Sequence, residues 1–471
     1  MLLAPELALV AAGAIVILAD AFARRRLPRP VIQGMGLIGL FFAFGLAIRM
    51  VGVQTTAFGG AVAVDLYAIY FKLLVAAAAA LVVLASSTLL DEYPKARGEF
   101  VGLILLCTAA LMLLAGARDL VTVYISLEIS SLSIAFLSAW NKRDVRSAEA
   151  GLKFFLLSAM SSAILLYGMA LIYGLTGQLQ LDAIARAIVG PLSPGLLLGL
   201  VLIVAGFGFK ISAVPFQMWT PDVYEGAPTP VTAYISVASK AAGFAVVLRV
   251  LHTALPATQG RWTVMFAAMA LATMTVGNIG ALVQTNVKRM LAYSSIAHVG
   301  YMLIGITAAS GHGTAAVLFY LLAYTVTNLG AFTAVIAATR LTGTELMSDL
   351  RGLGQRSPWV AFALAVSLLS LAGLPPFVGF FAKLYIFQAA LERGLGGLVL
   401  VGVINSAISL FYYAQVIHEM YILPPADERR IPILATQGVS LTLAVVGIVL
   451  FGIFSSQFLD LQQVAAVTLA R

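Results

Sequence analysis

Apolar residues in this chain come in long runs, cut by short clusters of basic residues, glycine and proline. A helix that crosses a bilayer needs about 20 predominantly apolar residues. Fourteen stretches meet that need, at roughly 2–22, 30–49, 64–90, 99–115, 119–140, 148–174, 195–217, 230–252, 262–284, 288–308, 313–339, 358–392, 395–421 and 432–458. The stretches 313–339 and 358–392 are expected to bend, and Pro375–Pro376 breaks the second. Residues 178–189, QLQLDAIARAIV, have the pattern of a short amphipathic helix lying on a membrane surface.

Composition supports that reading. Of 471 residues 61% are hydrophobic and 10% charged, whereas a soluble domain carries about 25% charged residues. The expected fold class is an all-α polytopic membrane protein with about 14 transmembrane helices. A soluble enzyme domain has nowhere to fit. The single cysteine, Cys107, and four scattered histidines give no disulfide, iron–sulfur or zinc spacing. Leu2–Phe22 has no basic segment ahead of it and Arg24, Arg25, Arg26 and Arg29 behind it. That order predicts a spanning helix with its N-terminus outside rather than a cleavable signal.

The basic residues test the count. Loops after odd-numbered spans hold sixteen: Arg24, Arg25, Arg26, Arg29, Lys95, Arg97, Lys142, Arg143, Arg146, Lys288, Arg289, Arg340, Arg351, Arg356, Arg429 and Arg430. The other side holds seven: Arg49, Arg118, Arg186, Arg249, Arg261, Arg393 and Arg471. The bias places odd-span loops in the cytoplasm and both termini on the periplasmic side. It also accounts for the net charge of +8 without a nucleic-acid partner. The remaining five are Lys72, Lys153, Lys210, Lys240 and Lys383, all lysines. Arginine cannot be deprotonated in a protein, whereas a buried lysine can release its proton. Lysines alone at membrane depth therefore fit proton exchange better than static pairing.

Two spans are interrupted. Lys210 precedes Pro215 by five residues and Lys383 follows Pro376 by seven. Broken helices at mid-membrane are how transporters build ion sites. The interrupted spans are seventh and twelfth, an odd offset, so they run in opposite directions. Inverted five-helix repeats over spans 4–8 and 9–13 produce that arrangement. The expected division is an N-terminal three-helix segment (1–95), a first repeat (96–255), a second repeat (256–425) and a C-terminal transmembrane helix (426–471).

Glu128 is the acid deepest in a span, among Ser126, Ser130, Ser131 and Ser133. It either makes a helix–helix hydrogen bond or pairs with a lysine, Lys210 first. An opposite charge favours both ionised forms while burial disfavours them. Lys153 follows Glu149 by four residues, a common surface pair, or else marks a cytoplasmic proton entrance or a second partner for Lys210. Lys72, two turns into its span, is expected to snorkel to the outer interface. His298 lies one turn from Ser294 and Ser295, placed either to relay protons or as a satisfied buried histidine. His252, His312 and His418 fall near span ends and receive no role. Gly206 and Gly208 lie within a span, without the strand–turn–helix context of a nucleotide site.

Several stretches match one family. GFGFKISAVPFQMWTPDVYEGAPTPVTAYISVASKAAGFAVVLRV, GNIGALVQTNVKRMLAYSSIAHVGYML, SDLRGLGQRSP and LAGLPPFVGFFAKLYIF resemble the subunit N family of proton-pumping NADH:quinone oxidoreductase, respiratory complex I. The similarity runs over roughly 65–420. PDVYEGAPTP and ASKAAGF resemble subunit N rather than its relatives, and Lys383 stands where subunit M usually has glutamate. The resemblance implies that Glu128 is the fifth-span glutamate, Lys153 the sixth-span lysine, Lys210 the broken-helix lysine, Lys240 the central lysine and Lys383 the lysine of the second half-channel. Ala382 departs from a common glycine. The resemblance also implies no cofactor in this chain, with FMN and iron–sulfur clusters in partner subunits. The implied partners are an antiporter-like M subunit, small K- and J-type subunits and membrane lipids. The first three spans, absent from animal mitochondrial versions, imply a bacterial inner membrane.

The expected function is proton translocation through Glu128, Lys153, Lys210, Lys240, His298 and Lys383 as one module of complex I. The rivals are a subunit of a multisubunit Na⁺/H⁺ antiporter and a purely structural subunit of the membrane arm.

Overall fold

The computed structural model describes residues 2–340, 343–425 and 429–469. Arg471, one of the basic residues counted above, lies outside them. The helices are α1 (Ala4–Phe22), α2 (Arg29–Ile48), α3 (Leu66–Ala85), α4 (Ser87–Glu92), α5 (Arg97–Gly116), α6 (Leu120–Ser138) and α7 (Val145–Thr176). Next come α8 (Leu181–Ala187), α9 (Pro194–Ile211), α10 (Trp219–Gly226), α11 (Thr229–Tyr234), α12 (Lys240–Arg249), α13 (Gln259–Leu282) and α14 (Val287–Thr307). The last are α15 (Gly311–Ala338), α16 (Leu353–Arg356), α17 (Pro358–Ala372), α18 (Val378–Leu391), α19 (Gly396–Tyr421), α20 (Ala435–Ile453) and α21 (Ser455–Leu469).

Among the described residues 13 helical stretches are long and apolar enough to cross a membrane, α11 and α12 counting as one stretch over Thr229–Ala254. The shorter apolar helices α17 and α18 make the fourteenth crossing between them. Side chains with a free oxygen start many of these helices. Asp65, Asp119, Asp144, Ser193, Asn286 and Ser310 each accept a first-turn N–H, satisfying donors that a helix start leaves open.

Burial sorts the helices into an inner row and an outer ring. The stretch Thr229–Ala254 is wholly buried, and α14 and α15 nearly so. By contrast α1, α2, α7, α13 and α19 expose Leu7, Ile38, Tyr167, Val264 and Phe411, as lipid-facing helices do. The inner row is where a polar side chain is kept from lipid.

Four features depart from the expectations. First, α15 runs as one unbroken helix where a bend was expected. Second, a small hairpin joins α2 to α3, with β1 (Thr55–Ala57) antiparallel to β2 (Val62–Val64). Third, the last span ends at Ile453, and α21 then packs across α15 and α3, with Thr468 accepting the Tyr67 N–H at 3.2 Å. Fourth, Lys72 does not snorkel. It is fully buried and pairs at 2.7 Å with Glu6, an acid in the first turn of α1. Arg249 is likewise buried within a span, paired with Asp65, so the buried cations are not lysines alone.

Candidate functional site

The two interrupted spans break in the same way. After α9 the chain turns left-handed at Ser212 (φ 66°), and after α17 at Gly373 (φ 86°). Three residues later each has proline then phenylalanine, Pro215–Phe216 and Pro376–Phe377. Three backbone hydrogen bonds repeat at a constant offset: Ser212, Ala213 and Phe216 donate to Phe209, Gly208 and Ala213, while Gly373, Leu374 and Phe377 donate to Ser370, Leu369 and Leu374. Each break leaves the carbonyl end of a half-helix at depth, a place of partial negative charge.

A lysine sits at each such end. Lys210 is in the last turn of α9, and its ammonium donates to Ser130 Oγ (2.9 Å) and Ser131 Oγ (3.2 Å) of α6. Lys383 donates to the carbonyl of Ala372, the last residue of α17 (2.9 Å), and to Ser406 Oγ of α19 (2.8 Å), with the Tyr301 ring 4.9 Å away. Glycine at 373 suits that approach: its φ is left-handed, and a Cβ would lie 2.9 Å from Lys383 Cδ, so the lysine would have to shift.

Between them lie Lys240 and His298. Lys240, the first residue of α12, donates to Ser295 Oγ, which also accepts from the Tyr324 hydroxyl at 2.8 Å. The Lys210 stem packs on Gly243 of the same helix, where a Cβ would meet Lys210 Cγ at 3.3 Å. His298 is held between the hydroxyls of Tyr320 (2.7 Å at Nδ1) and Tyr413 (3.2 Å at Nε2), and Tyr413 shares a 2.5 Å contact with Ser294. A cavity of about 10 Å³, room for about one water, lies between His298, Thr327, Ser370 and Ala382, the neighbour of Lys383. Lys210, Lys240, His298 and Lys383 thus form one buried row, each at most 5% exposed.

The other two candidates stand outside the row. The Glu128 carboxylate faces α7, where Ser162 donates to it, and makes no ion pair with Lys210. Lys153 lies at the face that carries most of the basic residues. It contacts Glu149 at 2.6 Å and Asp222 at 2.9 Å; Asp222 also accepts from Arg289, which reaches Glu225 at 2.8 Å. These groups line an opening of about 270 Å³. A second opening of about 330 Å³ beside it is lined by Glu92, Asp144, Glu225, Lys288 and Glu345. At its rim, partial burial holds the Glu92 carboxyl above the usual carboxylate range.

Residues 117–409 match the family described as "NADH:quinone oxidoreductase/Mrp antiporter, TM". Subunit N of NADH-quinone oxidoreductase from Trichlorobacter lovleyi is 41% identical over 468 residues, covering 98% of this chain and 96% of that one. The chain belongs to this family. Subunit 2 of NAD(P)H-quinone oxidoreductase from Thermosynechococcus vestitus is 43% identical, covering 90% of this chain and 82% of that one. Among solved structures, a chain of respiratory complex I from Thermus thermophilus superposes with a TM-score of 0.81 at 33% identity, covering 96% of this chain and 98% of that one. A chain of the Mrp complex from Dietzia superposes at 0.86 with 21% identity, covering 99% and 97%; that likeness concerns the fold.

Within this NADH:quinone oxidoreductase/Mrp frame, the sequence reading missed most partners of its candidates. Tyr320 and Tyr324 sit on α15, buried nearly all round, where no periodicity marks them out; Tyr413 and Ser406 lie on the inner face of the lipid-facing α19, and Ser295 was legible only as a neighbour of His298. Asp222, Glu225 and Arg289 had a weak signal: two acids three apart on α10, and a Lys288–Arg289 pair opening α14.

Proposed function

We infer that this chain is the proton-translocating, antiporter-like subunit N of the membrane arm of respiratory complex I. It works beside other subunits that carry out the NADH:quinone electron transfer. Our proposal for the route is uptake from the cytoplasm at the Lys153–Asp222 mouth, then Lys210, Lys240, His298 and Lys383, then release on the opposite side. The observation that carries it is how the cations are held. Lys210, Lys240, His298 and Lys383 have hydroxyls and carbonyls as partners, and no carboxylate partner among the described residues. Lys72 and Arg249 each face a carboxylate. A buried charge without a fixed counter-charge favours losing its proton, so the row suits exchange and the two pairs suit architecture.

On this reading Glu128 and Lys210 alternate between a joined and a separated state, the structure being the separated one. The matched breaks support two inverted repeats, 96–255 and 256–425, behind the 1–95 segment and ahead of 426–471. We place the protein in a bacterial inner membrane with both termini periplasmic, against neighbours of the M, K and J types. FMN and iron–sulfur clusters belong to partner subunits in this scheme.

The test is Lys240→Ala in the assembled complex, with NADH-driven proton pumping in native membranes normalised to complex on a native gel. A large loss is expected; unchanged pumping would make the row structural. Radioactive Na⁺ uptake by vesicles holding this chain alone tests the antiporter rival. No uptake is expected, because a row of ammonium groups repels Na⁺.

A further inference from the structure

We propose that Asp65 and Arg249 are positioning residues that anchor the helix carrying Lys240 and so set its distance from Lys210 and Ser295. The proposal rests on reading Lys240 as a proton carrier. Lys240 and Arg249 are the first and last residues of α12, all ten of whose residues are buried. Nine residues of helix place them about 13 Å apart along the axis and on opposite sides. The helix is gripped at both ends, from opposite sides, by different parts of the protein. At the Lys240 end the grip is Ser295 of α14. At the far end Arg249 makes a bidentate contact with Asp65 (2.8 and 3.0 Å), donates Nε to Ala115 O of α5 (3.2 Å) and lies 4.9 Å over the Tyr67 ring. The Tyr67 hydroxyl adds a bond to Ala245 O at 2.9 Å. Such a fork-to-carboxylate contact fixes orientation as well as distance.

The need for an anchor comes from what flanks the helix. Ile235–Ser239 before it and Val250–Ala254 after it are π-helical, wide turns that commonly mark functional sites in helices. A straight segment between two such turns can rotate or slide unless something holds it. Sliding α12 moves Gly243 along the Lys210 stem and Lys240 past Ser295, changing both spacings together. Asp65 is free to do this because the amide it caps, Ala68 N, uses only one lone pair of Oδ1.

Asp65→Asn tests the proposal, since asparagine keeps the helix cap and loses the charge. In the assembled complex it is expected to lower coupled turnover about three- to tenfold, the scale of a sub-ångström misplacement. Arg249→Gln, which strands the Asp65 carboxylate, should be worse. The double variant Asp65→Asn/Arg249→Gln, an amide pair, should recover at least half of that loss. Position is read separately by cross-linking Lys240→Cys to Ser295→Cys with a short thiol reagent, with and without Asp65→Asn; the yield is expected to fall severalfold. Unchanged yield and unchanged turnover would overturn the anchor. A reduced yield with Lys240→Ala still pumping normally would uphold the anchor and sink the relay reading instead. Should Asp65→Asn fail to assemble, Tyr67→Phe removes only the Ala245 bond and should shift both readouts the same way, by less; no shift would overturn the proposal.

Discussion

An ammonium group buried among serine hydroxyls lacks the fixed counter-charge that holds the proton on a paired one, so it can give its proton up to a carrier reached through the hydrogen-bonded row. Lys210 is such a group, with Ser130 and Ser131 as its partners. Lys210→Arg keeps the charge and roughly the reach but cannot release a proton. The complex should assemble while coupled turnover falls by about tenfold or more; near-normal turnover would make Lys210 a fixed charge. Glu128 needs a different test, because its carboxylate is engaged with Ser162 rather than Lys210. If the two meet during turnover they act as one unit, and units are far from additive. Glu128→Gln and Lys210→Ala should each lower NADH-driven pumping, and the double variant should be little worse than the worse single. Losses that add in free energy would show that the two act independently. At this scale the sequence displayed the carriers but not their holders. A lysine in an apolar run is conspicuous. The serine or tyrosine that accepts its hydrogen bond is one of many, and which helix brings it near is decided by packing between segments far apart, as with Lys240 and Ser295 or His298 and Tyr413. The Glu6–Lys72 pair was hidden for the same reason, its halves lying on helices separated by the whole of α2.

Each broken helix needs a residue that turns left-handed and then a proline that forbids continuation. The prolines were legible and the turn residues were not, because Ser212 carries a side chain that rarely adopts that backbone. The two turns make opposite expectations. Gly373→Ala adds a strained φ and a Cβ at 2.9 Å from Lys383, costing about 1–3 kcal/mol and displacing the lysine; reduced thermal stability and reduced pumping are expected together. Ser212→Gly relieves a strained residue whose hydroxyl is buried without a hydrogen-bond partner. It should raise stability by up to about 1 kcal/mol, read as a higher unfolding temperature in detergent, and leave pumping unchanged. A stability loss at Ser212→Gly would mean that the hydroxyl has an essential partner. The apolar stretches themselves were legible to within a few residues, since twenty consecutive apolar positions leave little choice. The π-helical turns around α12 left no mark, as they change one hydrogen-bond register and no side-chain pattern. The 55–64 hairpin, with strands of three residues, is too short for alternation to show.

The whole molecule is tied together by contacts among loops, and these contacts have a parity. Gln180, after the sixth span, donates to Gly59, after the second, at 2.7 Å; Leu120 and Leu181 bind Leu179 and Arg118 across the loops after the fourth and sixth. At the other face Arg25 binds Glu99, and Val287 and Met347 bind Glu345 and Thr285, joining loops after odd-numbered spans. Even loops meet even loops and odd meet odd, the outcome of fourteen crossings with none miscounted before the twelfth. The proposed sign of the two faces rests on the sixteen basic residues against six, once Arg249 is taken into its span. Cysteine labelling reads it directly, because the native Cys107 is buried. Ser147 is unsuitable as a reporter, being buried and bonded to Ser138 O, but Arg143 and Gln178 are exposed at the two ends of α7. In intact cells a membrane-impermeant maleimide should label Gln178→Cys and reach Arg143→Cys only after permeabilisation. Labelling of Arg143→Cys alone in intact cells would invert the molecule, placing the Lys153–Asp222 opening on the periplasmic side and reversing the direction of proton uptake proposed for it. Labelling of both would mean that α7 does not cross, and the parity of the loops would then need another cause.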